Sequence, residues 1–75
     1  MRITYEQARK DFEFLETIAP LDDQVELDSQ REELMRNPTK IFAKEMYISA
    51  IELWFWEHGV KIGSEIIARR YGIES

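Results

Sequence analysis

Tyr5, Ala8, Phe12, Leu15 and Ala19 recur at spacings of 3, 4, 3 and 4, the pattern of one apolar face on an α-helix. Phe14 and Ile18 widen that face. Thr4 stands before it as an N-cap, and Gln7 three residues on completes a capping box. Glu6 with Lys10, and Arg9 with Glu13, form favourable i,i+4 pairs on the polar side. The pattern predicts a helix over 4–19, stopped by Pro20, whose ring cannot continue it.

Over 21–37 the apolar content thins to Leu21, Val25, Leu27, Leu34 and Met35. Two capping patterns compete there, Asp23 with Glu26 and Ser29 with Glu32, so a helix is expected at the later end and a loop near 21–28. Asn37 followed by Pro38 reads as an N-cap and first helical position. The helix it opens runs to His58, with Gly59 supplying the left-handed residue that ends it. Ile41, Phe42, Met46, Ala50 and Leu53 form one stripe along this helix; Ala43, Tyr47, Ile51 and Trp54 form a second beside it. Ser64 caps a short helix from Glu65 to about Tyr71, with Gly72 as its stop. "VKI" at 60–62 has an extended alternative, pairing with "RIT" at 2–4. The expected fold is all-α: a small three- to four-helix bundle, one helical domain over 1–75, with a long central helix. Its expected core holds Tyr5, Phe12, Leu15, Phe42, Met46, Ala50, Ile51, Leu53, Trp54, Ile66 and Ile67.

Length sharpens this picture. A chain of 75 residues buries only about 60% of its unfolded surface, so its core is small and a staple or a partner is useful. Cysteine is absent, which excludes disulfides and thiolate metal sites and fits a reducing, cytoplasmic setting. A single histidine excludes a multi-histidine zinc site within one chain. Arg2 is followed by polar sequence rather than the apolar run of a signal peptide. The longest apolar-rich window, 46–56, is eleven residues and contains Glu52, whereas a bilayer needs roughly 20. A soluble chain with no membrane segment is expected.

Charge and aromatic placement then suggest what the chain meets. The net charge is −5, but 11–33 holds nine acids and one base, a net of −8, leaving +3 elsewhere. This balance argues against general nucleic-acid affinity and fits either a solvated, solubilising face or a basic protein partner. Trp54, Phe55 and Trp56 stand side by side near the end of the long helix. Successive helical residues turn by about 100°, so the three cannot face one neighbour. Phe55 and Trp56, with Ile48, fall outside both apolar stripes. Either the other helices surround the long helix and bury them, or one side of the triplet looks away from the core and they are the candidate contact residues for a protein partner or a second copy of the chain. Glu26, Asp28, Glu32 and Glu33 are the candidate docking carboxylates for a basic partner.

No catalytic or cofactor signature is present. Asp22 as position 1 of a calcium loop puts Glu26 at position 5 and Glu33 at position 12, but Leu27 holds the glycine position and Gln24 position 3. His58, in the last turn of the long helix, reads as a residue suited to the helix dipole. Glu32 and Glu33 have no pocket that would make them an acid–base pair. The reading is therefore a non-enzymatic interaction module, without metal or cofactor, that acts as a small regulator or inhibitor.

One segment offers an alternative. In "SEIIARRYGIES", Ala68 precedes Gly72 by four positions and Ile73 follows it, with Ile67 and Tyr71 at positions commonly apolar or helix-ending. This resembles the opening half of a helix-turn-helix over about a dozen residues. The resemblance implies a DNA-binding regulator in which Arg69 and Arg70 touch phosphates. No recognition helix follows within the sequence.

Overall fold

A computed structural model describes residues 2–73 and contains four helices: α1 (Tyr5–Ile18), α2 (Leu21–Met35), α3 (Lys40–His58) and α4 (Glu65–Arg70). No strand forms among the described residues, so the pairing of 60–62 with 2–4 is absent. The fold is all-α, with α3 the longest helix and α1 its principal neighbour.

α1 begins as its sequence dictates, with Thr4 Oγ1 accepting from the Gln7 backbone N–H at 3.1 Å. The Gln7 side chain does not complete a capping box; its amide donates to Asp11 Oδ1 at 2.9 Å. Ala19 is extended (φ −70°, ψ 152°), the conformation that a following proline favours, and it ends the helix.

α2 corrects the loop expected near 21–28, because helix runs unbroken from Leu21. Pro20 has φ −55°, already suited to a helix start, and Asp22 and Asp23 sit where the positive end of the helix dipole favours carboxylates. The Gln24 amide donates to the Ala19 carbonyl at 2.9 Å, tying the new helix to the old. The apolar pattern is faint because α2 buries only Leu27 and Leu34, one residue per two turns.

The start of α3 is also corrected. Thr39, not Asn37, is the N-cap, its Oγ1 accepting from the Phe42 N–H at 3.2 Å. Asn37 serves the preceding helix instead: its side-chain amide donates to the Leu34 and Glu33 carbonyls at 3.2 and 3.4 Å. Gly59, at φ 71°, ends α3 with its N–H on the Phe55 carbonyl at 2.8 Å.

α4 ends in a Schellman arrangement, the Ile73 N–H on the Ala68 carbonyl at 2.8 Å and the Gly72 N–H on the Arg69 carbonyl at 3.2 Å. Ser64 is fully buried but does not cap α4 with its side chain. Its hydroxyl clamps the preceding turn, accepting from the Lys61 N–H at 2.8 Å and donating to the Lys61 carbonyl at 2.7 Å.

The core is built by the second stripe of α3. Ala43, Tyr47, Ile51 and Trp54 are all buried, the last three in one cluster with Ala8, Phe12 and Leu15 of α1. The Tyr47 ring meets Phe12 edge-on at 5.4 Å and Tyr5 at 6.0 Å. The first stripe is largely outside: Phe42, Met46 and Leu53, expected in the core, are exposed, as is Ile66 on α4. Shape explains this. The molecule is a slab of 33 × 31 × 16 Å between Cα extremes, and packed helix axes lie about 8–10 Å apart, so the slab is too thin to cover α3 on every side.

Candidate protein-binding surface

The aromatic triplet divides as helical rotation requires. Trp54 and Phe55 are buried, their rings meeting edge-on at 5.1 Å, while Trp56 is 82% exposed. Phe55 is therefore a core residue and not a contact residue of the folded chain, a correction to its sequence assignment. Trp56 stands opposite the buried stripe. Ile48 is half-buried and packed against the core, which removes it from an open surface as well.

The larger apolar surface lies elsewhere, along the seam between α2 and α3. A groove of about 830 Å³ opens there, floored by Leu34 and Ala50 and walled by Phe42, Met46 and Leu53. Phe42 is 51% exposed, Met46 42% and Leu53 51%. Phe42, Met46, Ala50 and Leu53 follow one another at spacings of four, four and three, so α3 presents them as one row. A smaller depression continues the seam toward the end of α3 and shares Gln30, Ala50 and Leu53 with the groove. At that end His58 Nε2 lies 3.0 Å from Asp23 Oδ2, and its ring packs 5.0 Å from Trp54, pinning the start of α2 to the end of α3.

The acidic candidates separate into two sets. Glu26 and Glu33 line the seam, where Glu45 and Glu57 of α3 face them. Asp28 and Glu32 lie on the outer side of α2, beside bases. Arg31 pairs with Asp28 and lies 3.4 Å from Glu16 Oε2; Arg36 is 4.0 Å from Glu32. The Asp28 hydrogen bond, followed by the Glu16 charge, raises the Arg31 pKa. Burial pushes the Glu16 carboxyl up, although Arg31 opposes it.

A buried carboxylate that sequence reasoning passes over links α1 to α4. Asp11 accepts from Gln7 at 2.9 Å, from Arg70 Nη1 at 2.5 Å and from the Tyr71 hydroxyl at 2.8 Å. Burial and this bond to Asp11 raise the Tyr71 pKa well above its ordinary value. Arg70 is thus occupied inside the molecule, and Arg69 alone of the pair is exposed. Of the two arginines that the helix-turn-helix resemblance assigns to phosphates, Arg70 is paired with Asp11 and Arg69 faces outward.

Among the described residues, no group of three or more His, Asp or Glu side chains is placed to hold a metal ion. No helix there is long and apolar enough to cross a membrane. Compared with known proteins, the chain matches no family model, no curated protein and no solved structure.

Sequence reasoning missed the groove because it assigned Phe42, Met46 and Leu53 to the core. The signal was present in the two adjacent apolar stripes of α3, which together are wider than a single neighbouring helix covers.

Proposed function

We propose that this chain is a small acidic, non-enzymatic interaction module, a regulator or inhibitor that acts by binding a protein. The observation that supports the reading is the open groove between α2 and α3, with Phe42, Met46 and Leu53 half out of the core. Single exposed apolar residues are ordinary on any protein, but a continuous row inside a concavity is the form that a recognition surface takes. Its carboxylates steer a basic partner toward it and disfavour acidic ones. The assignment moves the contact surface from Phe55 and Ile48 to the first stripe of α3, and leaves Trp56 as a separate exposed aromatic.

The test is a photo-crosslinking residue placed at Leu53 in the cells that make the protein, with the same residue at Arg69 as the control. A discrete protein adduct from Leu53 that is absent from Arg69 supports the module. Equal adducts from both positions, or none from Leu53, refute it. Sedimentation equilibrium across a range of concentrations then tells an adduct with a second copy from one with a foreign protein.

A further inference from the structure

The seam carries charge of one sign around its apolar floor. Asp23, Glu26, Glu33, Glu45 and Glu57 line the groove and its continuation, and no Lys or Arg does so among the described residues. The one basic side chain present, His58, is already paired with Asp23. An occupant must therefore be apolar on the side that enters and cationic on its flanks.

The walls also restrict its form. Both are helices, and no open sheet edge exists among the described residues to bond an extended peptide, so the backbone of the occupant must satisfy itself. A helix does this. The row from Phe42 to Leu53 spans twelve residues, about 16 Å at helical rise, which matches a partner helix of roughly three turns.

A second copy of the chain fits poorly. It carries the same net charge of −5. Its one basic apolar helix, α4, has six residues, and Arg70 of that helix is bound to Asp11. Resting on the interaction-module reading, we propose that the groove receives a basic amphipathic helix from a foreign protein. Its apolar face packs on Phe42, Met46, Ala50 and Leu53, and its Lys and Arg side chains meet Glu26 and Glu33 on one wall and Glu45 and Glu57 on the other.

The experiment titrates the isotope-labelled full chain with a synthetic Leu/Lys peptide of about 18 residues patterned with the helical period. A scramble of the same composition and a Leu/Glu peptide with the same pattern serve as comparisons. The patterned Leu/Lys peptide is expected to saturate, to move the amide resonances of Glu33, Met46, Ser49 and Leu53, and to weaken as salt is raised. The scramble should bind about tenfold more weakly or worse, and Leu/Glu not at all. Leu53→Lys, and separately the exposed pair Glu33→Lys with Glu45→Lys, should each lose about tenfold in affinity, whereas Ile62→Lys, exposed but outside the groove lining, should not. Unchanged circular dichroism in these surface variants confirms that folding is retained.

Equal binding of patterned and scrambled peptides overturns the proposal, as do resonance shifts gathered around the exposed Ile62 and Ile66, outside the groove lining. A dimer in sedimentation that Leu53→Lys dissolves overturns it in favour of a second copy. If a foreign-protein adduct from Leu53 persists in cells while the Leu/Lys peptide fails to bind, the module stands and the basic helix is refuted. If both fail, the module falls too.

Discussion

Phe55 and Trp56 are neighbours in sequence, yet truncating them should have opposite consequences. Phe55 is 3% exposed and packs edge-on against Trp54, so Phe55→Ala leaves a cavity at the centre of the molecule. Such truncations cost about 3–5 kcal/mol. At roughly 0.05–0.15 kcal/mol per residue, 75 residues yield a total stability of about 4–11 kcal/mol, so this one change removes between a quarter and all of it. Trp56 is 82% exposed. The remaining fifth of a side chain of about 250 Å² is near 45 Å², about 1 kcal/mol at 25 cal/mol per Å². Alanine returns about 0.5 kcal/mol through its higher helix propensity, so the net cost of Trp56→Ala is about 0.5 kcal/mol. The assay is urea unfolding followed by far-UV circular dichroism. With a slope of about 1 kcal/mol per molar urea, Phe55→Ala should lower the midpoint by about 3 M or leave no folded baseline, and Trp56→Ala by about 0.5 M. A Trp56→Ala loss as large as that of Phe55→Ala would show that Trp56 is covered in solution. A Phe55→Ala loss below about 1 kcal/mol would remove Phe55 from the core.

Three further outcomes follow from buried polar groups. The Tyr47 hydroxyl is buried without a hydrogen-bond partner, so Tyr47→Phe should stabilise the chain by about 1 kcal/mol in the same urea assay; a loss of stability would show that the hydroxyl is bonded. Asp11→Ala removes the acceptor shared by Gln7, Arg70 and Tyr71 and should cost about 3 kcal/mol. Faster hydrogen exchange at the Ile73 amide relative to α1 amides would locate that loss at α4, and unchanged exchange there would refute the linkage. Burial raises the Glu16 pKa above 4.5 in the folded state, so the folded chain binds more protons there than the unfolded chain does. Stability from this group therefore falls as pH climbs from 4.5 through the raised value, and the cost is complete above it. Thermal midpoints measured from acid to neutral pH should show this decline removed in Glu16→Gln; an unchanged slope in the variant would contradict it.

The parts of the fold legible in the sequence are those where local chemistry and packing agree. α1 has an unbroken 3,4 spacing, a threonine cap and a proline stop, and the structure uses all three. α4 has Gly72 where a left-handed residue is needed, at φ 70°. α2 was half hidden, because a helix on the edge of a thin slab buries only Leu27 and Leu34 and its exposed Leu21 and Val25 blur the pattern. The start of α3 was misread for a different reason. Asn-Pro is a strong local start signal, but the Asn37 amide finds better use at the carbonyls of α2, and Thr39 takes over the cap. Asp11 was invisible as a site because its partners, Arg70 and Tyr71, lie about sixty residues away and only folding brings them together.

The errors in the expected core have a common cause that bears on function. Pattern reasoning places every apolar stripe inside, and it gave α3 two stripes with one interior to share. Only one lies inside: Tyr47, Ile51 and Trp54 share the buried cluster with Ala8 and Phe12, and Ala43 is buried on the same stripe. Phe42, Met46 and Leu53 are then left on the flank, where α2 supplies Leu34 but otherwise presents Gln30 and Glu33, with Asn37 just beyond its end. α2 is too polar to cover that flank, and α4 is engaged with α1 through Asp11. Phe42, Met46 and Leu53, which helical periodicity assigns to a core and which the chain leaves exposed, thus line the groove. A helix with more apolar surface than its own fold can cover has an energetic reason to acquire a partner, and the carboxylates on either side of this one restrict the partner to a cationic chain.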